Sequence, residues 1–240
     1  MDKDGQGPPA QYQNRLLQLV DTSDRLLLEP HLEYLNMKQG DVCIEQMAPM
    51  DHVYFPGTCL SSTIMPDEEN GTSEIGMQGY EGLIGVPAIL GADQSPHKVF
   101  LQVGGALWRI RTAQVRQAMD QSATLRNLLL KYAHVFLIQT GQTAHVNARF
   151  KLEERLARWL LMCADRLGPQ LSLTHDYLAY MLGVRRSGVT NGIHILEGEG
   201  LITSTRGLLV IRSRAGLEAL AGRSYGIPEA EYARVIGPLR

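Results

Sequence analysis

The sequence is poor in the features that mark metal centres, membrane spans and common catalytic sites. Its 240 residues include 3 cysteines, Cys43, Cys59 and Cys163. They lie far apart with no ligand spacing, which argues against zinc or an iron-sulfur cluster and fits reduced thiols, with Cys163 in a core. No apolar run approaches the roughly 20 residues of a membrane helix, and the N-terminal MDKDGQGPPAQYQN lacks the apolar core of a signal peptide. A cytoplasmic protein with no membrane partner is therefore expected. Gly-Lys-Ser/Thr phosphate loops, His-Glu-x-x-His and Gly-x-Ser-x-Gly are missing as well, so neither an enzyme nor a metal site is expected. There is no internal repeat and no low-complexity tract.

What is present is an ordinary globular composition, 44% hydrophobic, with a formal charge of -2 that by itself selects no partner. The distribution of charge says more. Residues 1 to 147 carry 10 Lys+Arg against 16 Asp+Glu, whereas residues 148 to 240 carry 13 against 9. An acidic front joined to a basic back fits a regulatory module followed by a nucleic-acid-binding one.

The informative stretch is Leu171 to Ile211. Thr174 is a good N-cap, Leu178, Ala179 and Leu182 supply an apolar face, and Gly183 permits the left-handed turn that lets two helices cross steeply. Val184, Val189, Ile193 and Leu196 hold the second helix, expected over 185 to 196, against the first. Arg185, Arg186, Ser187, Thr190 and Asn191 are then left facing outward, near a helix N-terminus. Such short or planar hydrogen-bonding side chains reach phosphates and base edges in a major groove. Residues 200 to 211 read as two short strands around a turn at Arg206 and Gly207, so the whole is a winged helix-turn-helix. A helical hairpin that binds only protein is the alternative. Gly188 and Gly192, four apart on the second helix, allow close approach to the first helix or to DNA, or else leave the helix partly loose.

Upstream, residues 31 to 111 alternate short strand-like runs with Gly, Pro and Asn turns, ending at Leu107-Trp108-Arg109-Ile110, the pattern of a small antiparallel roll. Short helices are expected between Arg15 and Leu28, after a frayed lead-in over residues 1 to 14. A long helix follows from about Ser122, in which Leu125, Leu129, Tyr132, Phe136, Gln139, Thr143 and Val146 repeat at steps of four and three. That is a coiled-coil seam, expected to form a homodimer interface; a helix buried along its own domain has the same spacing. Polar Gln139 and Thr143 and the need for two copies to read two half-sites favour pairing. An amphipathic helix over 147 to 168 follows, and residues 214 to 220 and 228 to 236 also look helical.

This order, and above all LGVRRSGVTNGIHILEGEGLI over 182 to 202, resembles the bacterial Crp/Fnr superfamily of transcription regulators. The resemblance implies an α+β fold: a jelly-roll-like effector domain over 1–120, a dimerisation helix over 121–147 and a winged helix-turn-helix with a C-terminal extension over 148–240. It also implies a homodimer on an inverted-repeat operator in double-stranded DNA, with RNA polymerase as a further partner. Arg186, Ser187 and Asn191 fall at the family's base-reading positions, and Thr174, His175, Arg185 and Arg206 near phosphates. Only Arg186 matches the best-known members, which implies a different operator. In the roll, Gly82-Leu83 stands where cyclic-nucleotide binders have Gly-Glu, and the phosphate-binding arginine position falls near His97 and Lys98. These four residues form the candidate effector pocket, from which cyclic AMP is not expected. Cys43, Cys59, His31, His52, His97 and His134 are the residues available as haem ligands, without a constellation among them. No cofactor is identifiable.

Overall fold

The computed structural model describes residues 11–66 and 71–239. The chain begins with two short helices, α1 (Arg15–Leu19) and α2 (Thr22–Leu28). The lead-in is tied down where it is described: Asn14, fully buried, caps α1 through Leu17 N and donates to Pro56 O and Gly82 O at 2.9 and 2.7 Å. There follow β1 (Glu33–Met37), β2 (Val42–Ile44), β3 (His52–Pro56), β4 (Leu60–Met65), β5 (Ser73–Gln78), the one-turn α3 (Val86–Ile89), β6 (Lys98–Val103) and β7 (Gly105–Arg111). Two antiparallel sheets result, ordered β1-β7-β3 and β2-β6-β4-β5, and they form the roll.

Helices α4 (Thr112–Gln121) and α5 (Ala123–Arg149) succeed the roll, the second capped by Ser122 through Leu125 N. Phe150 and Lys151 are extended, and Lys151 N donates to Glu154 Oε2, so the chain breaks before α6 (Leu152–Leu167). Next come β8 (Gln170–Leu171), α7 (His175–Leu182), α8 (Arg186–Gly198), β9 (Ile202–Thr205), β10 (Leu208–Ile211), α9 (Arg214–Ala221) and α10 (Ile227–Val235). Strands β8-β10-β9 make a small third sheet. Among the described residues no helix is long and apolar enough to cross a membrane.

Two apolar clusters organise these elements. One joins the roll interior, including Val53, Phe55, Leu101 and Ile110, to Leu125, Leu129 and Tyr132 of α5 and to Tyr232 of α10. The other joins α6, α7, α8 and α9 to Leu60 and Met77, which lie on the opposite face of the four-stranded sheet. The winged unit therefore sits directly on the roll. Residues after Gly222 leave that unit and return to the roll: Tyr232 Oη donates to Glu81 O at 2.8 Å and Tyr80 Oη to Leu239 O at 2.7 Å.

The expected dimer seam is corrected here. Leu125, Leu129, Tyr132, Gln139 and Thr143 are buried within their own chain, and Phe136 is half-buried. Tyr132 lies over Gly82, where a Cβ would fall 2.0 Å from its hydroxyl, and Phe136 over Gly76, where the gap would be 2.7 Å. Gln139 Oε1 accepts from Met77 N at 2.7 Å, and Thr143 Oγ1 from Arg158 at 3.0 Å. The polar seam residues satisfy the roll and α6. They do not set a coiled-coil register.

Between the sheet and α6 lies a buried polar cluster. Trp159 Nε1 donates to Glu74 Oε1 at 2.9 Å, and Ser62 Oγ stands 2.5 Å from Glu74 Oε2 and 2.6 Å from Gln102 Oε1. One hydroxyl proton cannot serve both oxygens, so the cluster is satisfied when Glu74 is protonated. Burial pushes the Glu74 carboxyl up from 4.5 to about 7. Between those pH values the folded chain holds a proton that the unfolded chain releases, so this contribution to stability falls as pH rises through that window and is level above it. Glu74→Gln is expected to flatten the fall in urea midpoint over that range; an unchanged slope would place its origin elsewhere.

Candidate nucleic-acid interface

Thr174 begins α7 as expected, its Oγ1 accepting from Tyr177 N at 3.2 Å. At the other end Gly183 is left-handed, with φ 62 and ψ 42. Val184 N bonds Ala179 O at 3.0 Å and Gly183 N bonds Tyr180 O at 3.4 Å, a Schellman motif that turns the chain into α8. Arg155 Nη2 also donates to Leu182 O, fixing this turn to α6.

Val189, Gly192, Ile193 and Leu196 bury one side of α8. The other side exposes Arg185, Arg186, Ser187 and Asn191 together, in the arrangement expected from the sequence. Thr190 differs: it is half-buried, and its Oγ1 lies 3.0 Å from His175 Nδ1, so the pair braces α8 against α7. Arg186 Nε rests 3.2 Å from Asp176 Oδ1 in an exposed ion pair. Such a pair is weak, so a phosphate or base edge can take the guanidinium from it. His194, three residues beyond Asn191, is exposed on the same helix and escaped the sequence reading. The i, i+3, i+7 spacing of Ser187, Asn191 and His194 is the signal that finds it.

The wing turn carries exposed Arg206 and left-handed Gly207. Leu173 N donates to Gly207 O at 3.1 Å, and Ser204 N to Glu197 Oε1 at 2.6 Å. These bonds hold the wing beside the start of α7 and the end of α8. Thr174, His175, Arg185, Arg186, Ser187, Asn191 and Arg206 are thus brought onto one continuous surface.

The candidate effector pocket is not assembled. Leu83 is wholly buried and Gly82 is covered by Tyr132, while Lys98 pairs with Glu45 at 3.2 Å on a cleft lined by Val42, Phe100, Tyr177 and Tyr180. His97 and Lys98 begin β6 and line no cavity with Gly82 or Leu83. Burial raises the Cys43 and Cys59 thiols, Cys59 to about 12, and lowers His52 and His97. Among the described residues no three His, Cys, Asp or Glu side chains are grouped to hold a metal ion.

Residues 154–220 match the Crp-like helix-turn-helix domain family. This segment is a Crp-like helix-turn-helix domain. Solved structures extend the likeness over most of the chain. A putative Crp/Fnr-family transcriptional regulator from Eubacterium rectale superposes with a TM-score of 0.69 at 19% identity, over 87% of this chain and 98% of that one. FixK2 from Bradyrhizobium japonicum gives 0.70 at 13%, over 80% and 98%. TTHA1359, a Crp/Fnr-family regulator from Thermus thermophilus, gives 0.65 at 23%, over 79% and 98%. No curated protein matches the sequence. The chain has the Crp/Fnr fold.

Within this Crp-like domain the two helix glycines face neither α7 nor solvent. A Cβ at Gly188 would meet Leu152 Cδ2 at 3.1 Å, and one at Gly192 would meet Leu156 Cδ2 at 3.2 Å. They let α8 lie close on α6, which accounts for tolerating two glycines in a helix interior. Gly192→Val is expected to overpack this contact, at about 1 to 3 kcal/mol in denaturant unfolding. Unchanged stability would mean that α8 does not press on α6.

Proposed function

We propose that the protein is a homodimeric, sequence-specific DNA-binding transcription regulator. The observation that carries this reading is the joint exposure of Arg185, Arg186, Ser187 and Asn191 at the start of α8, with the Arg206 wing tied alongside. Helix α8 would lie in the major groove, Arg186 making a bidentate contact to guanine and Asn191 reading a neighbouring base. Thr174, His175, Arg185 and Arg206 would fix the register through phosphates. His194 extends the reading face by one turn.

Dimerisation is assigned to the side of α5 that its own chain leaves open. Asn127, Leu130, His134, Leu137, Gly141, Ala144 and Ala148 follow one another at steps of three and four, all exposed. Leu137 is 58% exposed and Leu130 37%. Small residues in the second half permit close helix approach, and paired α5 helices would present two α8 helices to an inverted repeat about 34 Å apart. RNA polymerase is the partner through which such a regulator acts, and the cytoplasm the compartment that holds both. Tyr132 over Gly82 and apolar Leu83 weigh against a cyclic nucleotide in the roll.

Arg186→Ala is expected to lower affinity for an operator selected from random duplexes by about 1 to 3 kcal/mol while sparing nonspecific binding. Equal loss on every sequence would make Arg186 a phosphate contact. Leu137→Glu should yield a monomer in light scattering, whereas an unaltered dimer mass would remove this face from the interface.

A further inference from the structure

Glu81, in the loop after β5, is 2% exposed and sits where the roll, α5, α6 and α10 meet. Its Oε1 takes both Arg166 Nε and Arg166 Nη2 at 2.8 Å, and Gly79 N at 3.3 Å. Its Oε2 is buried with no hydrogen-bond partner. The oxygen borders a recess of about 10 Å³ lined by Tyr132, Gln139, Arg166, Glu229 and Tyr232. That is room for one water-sized group. Glu229 and Leu239 also line an adjoining open cleft of about 330 Å³, together with Asp165, Arg214 and Tyr225.

The charges around this junction do not balance. Glu81, Asp165 and Glu229 face Arg166 and Arg214, three carboxylates against two guanidiniums. Arg158 adds a cation near Glu229 but is matched by Glu74. The site is short of one positive charge and one donor. A water on Glu81 Oε2 would supply the donor without the charge, and an uncompensated buried charge is costly. Among the described residues the carboxylates do not group as metal ligands.

We infer that this junction binds one small organic cation, an alkylammonium whose head seats on Glu81 Oε2 and whose chain lies in the cleft against Leu239 and Tyr225. Its walls come from the roll (Glu81), α5 (Tyr132, Gln139), α6 (Arg166) and the C-terminal extension (Glu229, Tyr232). Occupancy would therefore favour one placement of the winged unit on the roll over others, which makes it an effector site. That regulatory consequence rests on the DNA-binding reading; the binding itself does not.

The test is calorimetric titration of the full chain with n-butylammonium chloride, with 1-butanol as the neutral isostere. Saturable binding of butylammonium at one site per protomer is expected, at least about tenfold tighter than butanol, and weakened at least about tenfold by Glu229→Gln. Circular dichroism and unaltered thermal unfolding of that variant show that it remains folded. Equal binding of butanol, undiminished binding to Glu229→Gln, or no saturable binding of butylammonium at millimolar concentration would overturn the site. A parallel DNA titration without amine separates the two readings, since failure to bind DNA leaves the amine result standing.

Discussion

The buried ion pair between Arg166 of α6 and Glu81 of the roll is the contact on which the rest of the arrangement depends. Both side chains are almost wholly enclosed, so removing either would strand a charge at a cost of about 3 to 5 kcal/mol. Around it Trp159 bonds Glu74, Gln102 approaches Cys163, and Arg158 bonds Thr143 of α5. Helix α6 is thereby seated on the roll and on α5 at once. Its other face receives the two glycines of α8, so the reading helix takes its orientation from the roll through a single intervening helix.

The winged unit was legible in the sequence because its signals are local. Thr174, Gly183 and the Arg206-Gly207 turn each act within a few residues, and the 3.6-residue period separated the buried side of α8 from the open side. The partner of α5 was not legible. Heptad spacing says which positions share a face, and Leu125 through Thr143 do; it does not say whether that face meets another chain or its own. The decisive residues lie far away in sequence, at Gly76 and Gly82, whose missing side chains make room for Phe136 and Tyr132. The effector pocket failed for a similar reason. Aligning Gly82 with His97 along the chain assumed a roll interior open to a ligand, whereas α5 fills the space over Gly82. The C-terminal extension looked uninformative because Tyr232 carries no local signal of its place in the roll core.

The reading surface combines stiffness with readiness. His175 braces Thr190, and the wing is pinned at Leu173 and Glu197, so few side chains need ordering when DNA arrives. Arg186 alone is held by an exposed acid, Asp176, which a nucleic acid must displace. The net charge of the whole chain is -2, so attraction to DNA has to come from local placement of Arg185, Arg186 and Arg206, and it should be screened readily by salt.

The most direct measurement of the central claim, that α8 and the wing are the DNA-reading face, is amide hydrogen exchange with and without a bound operator duplex. Slower exchange confined to residues 174–208, weakening as salt is raised, is the result this account predicts. Unchanged exchange in α8 with DNA demonstrably bound, or protection centred on the roll or α5, would contradict it.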